Sequence, residues 1–174
     1  MARILFLGDV VGRAGRQAVQ AHLPDIRKAE NLDLVIANGE NAAGGSGITT
    51  AIATELHEAG VDGITLGDHC WDQRGFEKEI GAIPRLSRPL NLLPGSPGAD
   101  RLVVESGDFR LGVVTVMGQQ MMKISSEAGF PRIVPCLEQM RDTCDAVLVE
   151  MHAETTSEKI AMGWYLDGRV AAVV

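Results

Sequence analysis

The sequence predicts an α/β fold, with a mainly parallel sheet and one antiparallel hairpin, and three observations predict it. Short apolar runs alternate with segments of helical period. The runs are apolar at nearly every position, as strands buried on both faces are. Polar residues of chemical potential gather immediately after the runs. The 174 residues are expected to form one domain, since about 150 is a common domain size. A composition of 45% apolar and 22% charged residues is that of a globular chain.

Taken in order, Arg3-Ile4-Leu5-Phe6-Leu7 is a compact buried-strand run closed by Gly8. Ala18, Val19, Leu23 and Ile26 recur at helical spacing over residues 15–28, and Pro24 is expected to kink or restart that helix. Residues 32–37 read as a second strand, 50–59 as a second helix, 61–66 as a third strand and 71–80 as a helix. Pro84, Pro89, Pro94 and Pro97 then punctuate a loop-rich middle. Residues 102–105 and 110–116, on either side of Ser106-Gly107-Asp108, form the predicted hairpin. A helix over 133–143, a strand over 146–149, a helix over 157–166 and a strand over 169–174 complete the pattern.

Lys+Arg 16 against Asp+Glu 23 gives a net charge of −7, which argues against a broad nucleic-acid face but permits a small phosphate site. No apolar run approaches the ~18 residues of a membrane span, and the first strand shows no signal-peptide pattern. Cys70, Cys136 and Cys144 form no CxxC pair and fit a reducing compartment, so a cytoplasmic location is expected. Homo-oligomer formation is left open.

In an open α/β sheet, ligands bind beyond the carboxyl ends of the strands. Here run one ends in Gly8-Asp9, run two in Asn38-Gly39-Glu40-Asn41 and run three in Gly67-Asp68-His69. The strand over 146–149 ends in Glu150-Met151-His152-Ala153-Glu154. Singly, each has an ordinary explanation: Asp9 and Asp68 as helix caps, Asn38-Gly39 as a turn, His152 and Glu154 as surface residues. Their shared topological position favours one site. Carboxylate, amide and imidazole groups converging in this way suit Mn, Fe or Zn better than a thiolate or calcium cage. Gly12-Arg13-Ala14-Gly15 has the look of a phosphate loop, yet neither GxGxxG nor a Walker Lys-Ser/Thr is present. His22 and His57 are expected on helix surfaces or in packing, and Met117, Met121 and Met122 in core or a mobile loop. Cys70 beside His69 is a weaker nucleophile candidate.

Ile4-Leu5-Phe6-Leu7-Gly8-Asp9-Val10-Val11-Gly12 and Ile36-Ala37-Asn38-Gly39-Glu40-Asn41-Ala42-Ala43 resemble the YmdB-like branch of the calcineurin-type metallophosphoesterases. So do Gly67-Asp68-His69-Cys70-Trp71-Asp72 and the stretch His152 to Val170, and the likeness runs over essentially the whole chain. The resemblance implies a calcineurin-like four-layer α/β sandwich with a dinuclear centre of Mn or Fe, with Zn as a third choice. It implies hydrolysis of small phosphodiesters, 2′,3′-cyclic nucleotides or short ribonucleotides, by a metal-bound hydroxide. Asp9 and Asn41 would then bind one metal, Glu40 would bridge both, and Asp68 and His152 would bind the second. His69 would donate the proton to the leaving oxygen.

Two departures from the family pattern follow. Asp68 stands where the family carries Asn, which adds a negative charge. A Gly-Thr-His-Thr-His segment, expected to give one histidine to each metal, does not follow Val174. The domain is therefore expected to be incomplete, lacking its C-terminal third, with a bared strand edge and compromised activity. The alternative expectation is a non-catalytic remnant of the same fold that binds a phosphate ligand or a partner. A flavodoxin-like nucleotide binder is a third.

Overall fold

The computed structural model describes residues 2–174. Two sheets organise it. The first begins with β1 (Ile4–Leu7), β2 (Leu34–Asn38) and β3 (Gly63–Thr65), joined by α1 (Gly12–Glu30) and α2 (Thr50–Glu58). A short β4 (Leu86–Ser87) within the proline-rich middle completes it, and all four strands run parallel in the order β1-β2-β3-β4. The second sheet opens with the hairpin β5 (Leu102–Ser106) and β6 (Phe109–Met117), whose turn uses Gly107 at φ 58°. After α3 (Phe76–Glu79) in the middle of the chain, α4 (Gly129–Met140) leads to β7 (Ala146–His152), and α5 (Thr156–Leu166) to β8 (Ala172–Val173). The order is β5-β6-β7-β8, antiparallel only at the hairpin.

The predicted α/β class and hairpin thus stand, as does the four-layer sandwich that the resemblance implies, its strands divided between two sheets that share a face. Period-two alternation makes this arrangement work. Leu34 and Ile36 of β2 pack on Leu102, Val104, Leu111, Val113 and Leu148 in a seam between the sheets. Val35 and Ala37 point the other way, onto Leu23 of α1 and Ala53 and Leu56 of α2. Val114, Val116, Val149 and Met151 likewise face Ile133, Cys136 and Met140 of α4 and Met162 and Leu166 of α5. The result is four layers, helices–sheet–sheet–helices, around three apolar interfaces. Each fully buried Leu or Ile there contributes about 1.5–3 kcal/mol.

Several sequence expectations are corrected. Pro24 neither ends nor restarts α1, which runs 19 residues to an Asn31 cap at φ 50°. A helix over 71–80 does not form: turns occupy the stretch until α3, followed by a 3-10 turn at Ile80–Ala82. The first strand is half-exposed rather than buried, because it lies at a sheet edge. β7 runs three residues past Val149, which turns Glu150 and His152 to the same side as Leu148. Met117 lies in the core, whereas Met121 is 83% exposed. No helix among the described residues is long and apolar enough to cross a membrane.

Candidate metal centre

Because β1, β2 and β3 are parallel neighbours, the residues that follow them emerge at one edge. Backbone bonds then lock the loops together. Val10 N–H donates to the Asn38 carbonyl at 3.0 Å, Gly12 N–H to the Asn41 carbonyl at 2.9 Å and Gly39 N–H to the Thr65 carbonyl at 2.9 Å. Asp9 and Asn41 are thereby adjacent, and Asn41 Nδ2 donates to Asp9 Oδ2 at 2.9 Å and to Glu40 Oε1 at 3.3 Å.

The second sheet contributes His152, the last residue of β7. Its Nε2 lies 3.2 Å from Asp68 Oδ1 and 3.3 Å from Glu40 Oε1. One ligand atom each from Glu40, Asp68 and His152 falls within 4.8 Å of the others. Glu40 and Asp68 are buried, so three strands from two sheets converge on one point. Gly67 makes that convergence feasible: a Cβ there would collide with the Glu40 carboxylate and the His152 ring. The Lys123 N–H donates to the other Asp68 oxygen at 2.8 Å.

His69 lies on the outer side of the triad, its backbone N–H donating to Glu40 Oε2 at 3.2 Å. Its ring Nδ1 is 2.7 Å from Asp72 Oδ2 and 3.0 Å from Ser46 Oγ. Asp72 also accepts from Lys123 Nζ at 2.5 Å and from the Ser46 hydroxyl. With Asp72 on Nδ1, Nε2 is the ring nitrogen left for proton transfer.

The electrostatics follow from this packing. Burial disfavours a charged His152 ring, but the Glu150 and Glu40 carboxylates outweigh it and push its pKa up to about 11. Burial would raise Asp68, yet the Lys123 N–H and His152 hold it below the ordinary carboxylate value. Asp72 is likewise held at about 2, against its partial burial, by Lys123, Ser46 and His69. The Cys70 thiol is pushed up to about 12 by burial and by the nearby Glu40 charge, so it stays protonated and is no nucleophile. Both ring nitrogens of His57 meet backbone carbonyls, of Val61 at 2.8 Å and Pro84 at 3.1 Å, as expected of a packing histidine.

All six residues singled out in the sequence, Asp9, Glu40, Asn41, Asp68, His69 and His152, line one cleft of about 350 Å3. Glu150, Glu154 and Lys159 line it too. The donor set of carboxylate, amide and imidazole fits a divalent Mn, Fe or Zn ion. Two observations agree with that fit: the Gly67 cradle, and Asn41 Oδ1, a buried acceptor without a hydrogen-bond partner. Sequence reasoning missed Ser46, Asp72, Lys123 and Glu150. Asp72 had a signal, three residues after His69. Glu150 had another, its i, i+2 spacing to His152 on one strand face.

The chain is 37% identical over 172 residues to the 2′,3′-cyclic-nucleotide 2′-phosphodiesterase of Bacillus subtilis (strain 168), covering 99% of this chain and 65% of that protein. It thus spans just under two thirds of that relative's length. A crystal structure of a hypothetical protein from Thermus thermophilus superposes with a TM-score of 0.89 at 46% identity, over 98% of this chain and 66% of the other. A novel phosphatase from Mycoplasma pneumoniae superposes at 0.88 and 33% identity, over 97% and 61%. The family model for YmdB-like protein matches residues 5–174, and with the cleft geometry above this establishes that the chain belongs to the YmdB-like protein family.

Proposed function

We propose that residues 1–174 are one domain carrying the site of a metal-dependent phosphodiesterase for small phosphodiesters, 2′,3′-cyclic nucleotides among them. One observation carries the reading. Asp9, Glu40, Asp68, Glu150 and Glu154 put five carboxylates into a cleft that offers only Lys159 and two imidazoles in return. A phosphodiester anion cannot enter such a field unless cations neutralise it. The names of the Bacillus and Mycoplasma relatives support the same class of chemistry.

Asp9 and Asn41 with Glu40 would hold one cation, and Glu40, Asp68 and His152 the other, with Mn or Fe preferred. Bound there, divalent ions supply Lewis-acid charge and lower the pKa of water toward neutrality. The remaining work falls to the protein. Asp72 engages Nδ1 of His69, a residue of the cleft wall, and leaves Nε2 as the nitrogen that protonates the departing alkoxide. Lys123 balances the Asp72 charge and, through its N–H, keeps Asp68 oriented. Lys159 offers a further positive charge to the phosphate.

The test is hydrolysis of a 2′,3′-cyclic nucleotide, whose alkoxide leaving group needs the proton, with Mn2+ by the wild type and by His69→Ala. We expect the variant to be slower by about 100-fold or more, as loss of a general acid implies. Equal rates would remove the catalytic assignment. Tight phosphate-ester binding without Mn2+ and without turnover would instead indicate a binding domain.

A further inference from the structure

The apolar seam between the sheets does not stay apolar to its end. Leu34 and Ile36 of β2 are followed on the same face by Asn38, Leu111 and Val113 of β6 by Thr115, and Leu148 of β7 by Glu150. Asn38, Thr115 and Glu150 are all buried. Asn38 Nδ2 donates to Glu150 Oε1 at 2.6 Å, and the Thr115 hydroxyl donates to Glu150 Oε2 at 2.7 Å. Asn38 Oδ1 accepts the backbone N–H of Glu40 at 3.1 Å. Glu150 Oε1 also stands 3.9 Å from His152 Nδ1, on the ring edge away from the Nε2 that meets Glu40 and Asp68. A buried carboxylate costs several kcal/mol to desolvate, and an apolar residue would suit the seam better. The chain keeps it where a hydrogen bond to Asn38 reaches toward Glu40 and its charge lies 3.9 Å behind the His152 ring.

We propose that Glu150 is a positioning residue that sets Glu40, through Asn38, and His152, by a carboxylate behind the ring, in the arrangement that takes a divalent cation. The proposal rests on the metal reading of the cleft. Its structural core is the fixed order of donors and acceptors. Thr115 gives to Glu150, Asn38 gives to Glu150, and the Glu40 N–H gives to Asn38. Glu150→Gln breaks that order whichever way the new amide turns. Either its NH2 faces the Asn38 NH2, or it faces Thr115 and strands the hydroxyl proton. The exchanged pair Asn38→Asp with Glu150→Gln restores the order. The new amide at position 150 gives to the new carboxylate at position 38, which still accepts from the Glu40 N–H, and the amide oxygen accepts from Thr115.

The experiment combines Mn2+ titration followed by EPR with NMR hydrogen exchange of the Glu40 amide in EDTA. For Glu150→Gln we expect Mn2+ affinity to fall about 10–100-fold, as when a ligand's supporting partner is removed. The Glu40 amide should exchange about tenfold faster, consistent with one weakened hydrogen bond. The exchanged pair should recover both to within about threefold. Wild-type affinity and exchange in Glu150→Gln, even with a lowered Tm, would overturn the proposal and leave a merely structural carboxylate. A loss that the exchanged pair fails to recover would overturn the route through Asn38. Should Glu150→Gln not fold, Thr115→Val removes one donor alone and is expected to weaken Mn2+ about threefold to tenfold; no change there overturns the proposal equally. If the wild type takes up no Mn2+, the metal reading fails on its own, and the Glu40 amide still decides the positioning role.

Discussion

Two ends of the cleft differ in how they are built. Glu40 and Asp68 are 3% and 7% exposed, and His152 reaches them across 84 residues of sequence from Asp68, out of a different sheet. Asp9 is exposed and meets Asn41 from the neighbouring loop of its own sheet. The inner group cannot leave its carboxylates unbalanced, so a protonated His152 supplies the missing positive charge. Asp9 is open to water, which screens it, and one amide hydrogen bond from the half-buried Asn41 suffices. A cation at the inner end therefore replaces a proton; at the outer end it takes the place of solvent and of the Asn41–Asp9 hydrogen bond.

The largest break in this asymmetry comes from His152→Ala, which removes the one inner ligand from the second sheet. Mn2+ affinity at the inner end should fall by more than the ~10–100-fold typical of supporting residues, as EPR titration would show. Next comes a pair of glycines that each follow a parallel strand. Gly67→Ala drives a Cβ into Glu40 and His152, whereas a Cβ at Gly8 meets nothing within 4 Å. Thermal or urea unfolding should show a loss of about 1–3 kcal/mol for Gly67→Ala and almost none for Gly8→Ala.

Acidity sharpens the comparison further. The folded His152 pKa lies well above its ordinary 6.5, so its contribution is complete below about pH 6.5 and is lost as pH climbs toward about 11. Unfolding midpoints in EDTA should fall across that window, and His152→Gln should flatten the fall. Near pH 8, Mn2+ binding should release close to one proton from the inner end, measurable by calorimetry in buffers of different ionisation enthalpy. Asp72 has the opposite sign: its contribution is present above about pH 3.8 and disappears as pH drops through about 2. The smallest effect is expected from Asp9→Asn, which should leave the first Mn2+ affinity within about threefold while weakening a second ion.

Much of the cleft is legible in the sequence because each parallel strand announces its own end. Gly8-Asp9, Asn38-Gly39-Glu40-Asn41 and Gly67-Asp68-His69 each interrupt an apolar run, and parallel strands bring their ends to one edge. Glu150 is legible as a polar residue ending a run, but its role is not, because only the packing of β7 against β2 and β6 brings it to Asn38 and Thr115. Lys123 is hidden in a loop of no periodicity, and its backbone N–H, the group that reaches Asp68, has no sequence signature. The turns over 71–75 read as the start of a helix because apolar residues such as Trp71, Phe76 and Ile80 mimic its spacing while serving the core of the first sheet.

By itself the sequence determined the local elements, their α/β alternation and the polar residues at strand ends, since period and turn chemistry act over a few residues. Periodicity did not divide the strands: the two-layered sheet core was implied only by the family resemblance, and the tertiary structure shows which strands form each sheet and the seam they share. That division follows from which face of β2, β6 and β7 finds an apolar partner. Only the tertiary structure decided that Asn38, Thr115 and Glu150 close the seam beneath His152, because a contact spanning 112 residues depends on packing rather than on neighbours in the chain.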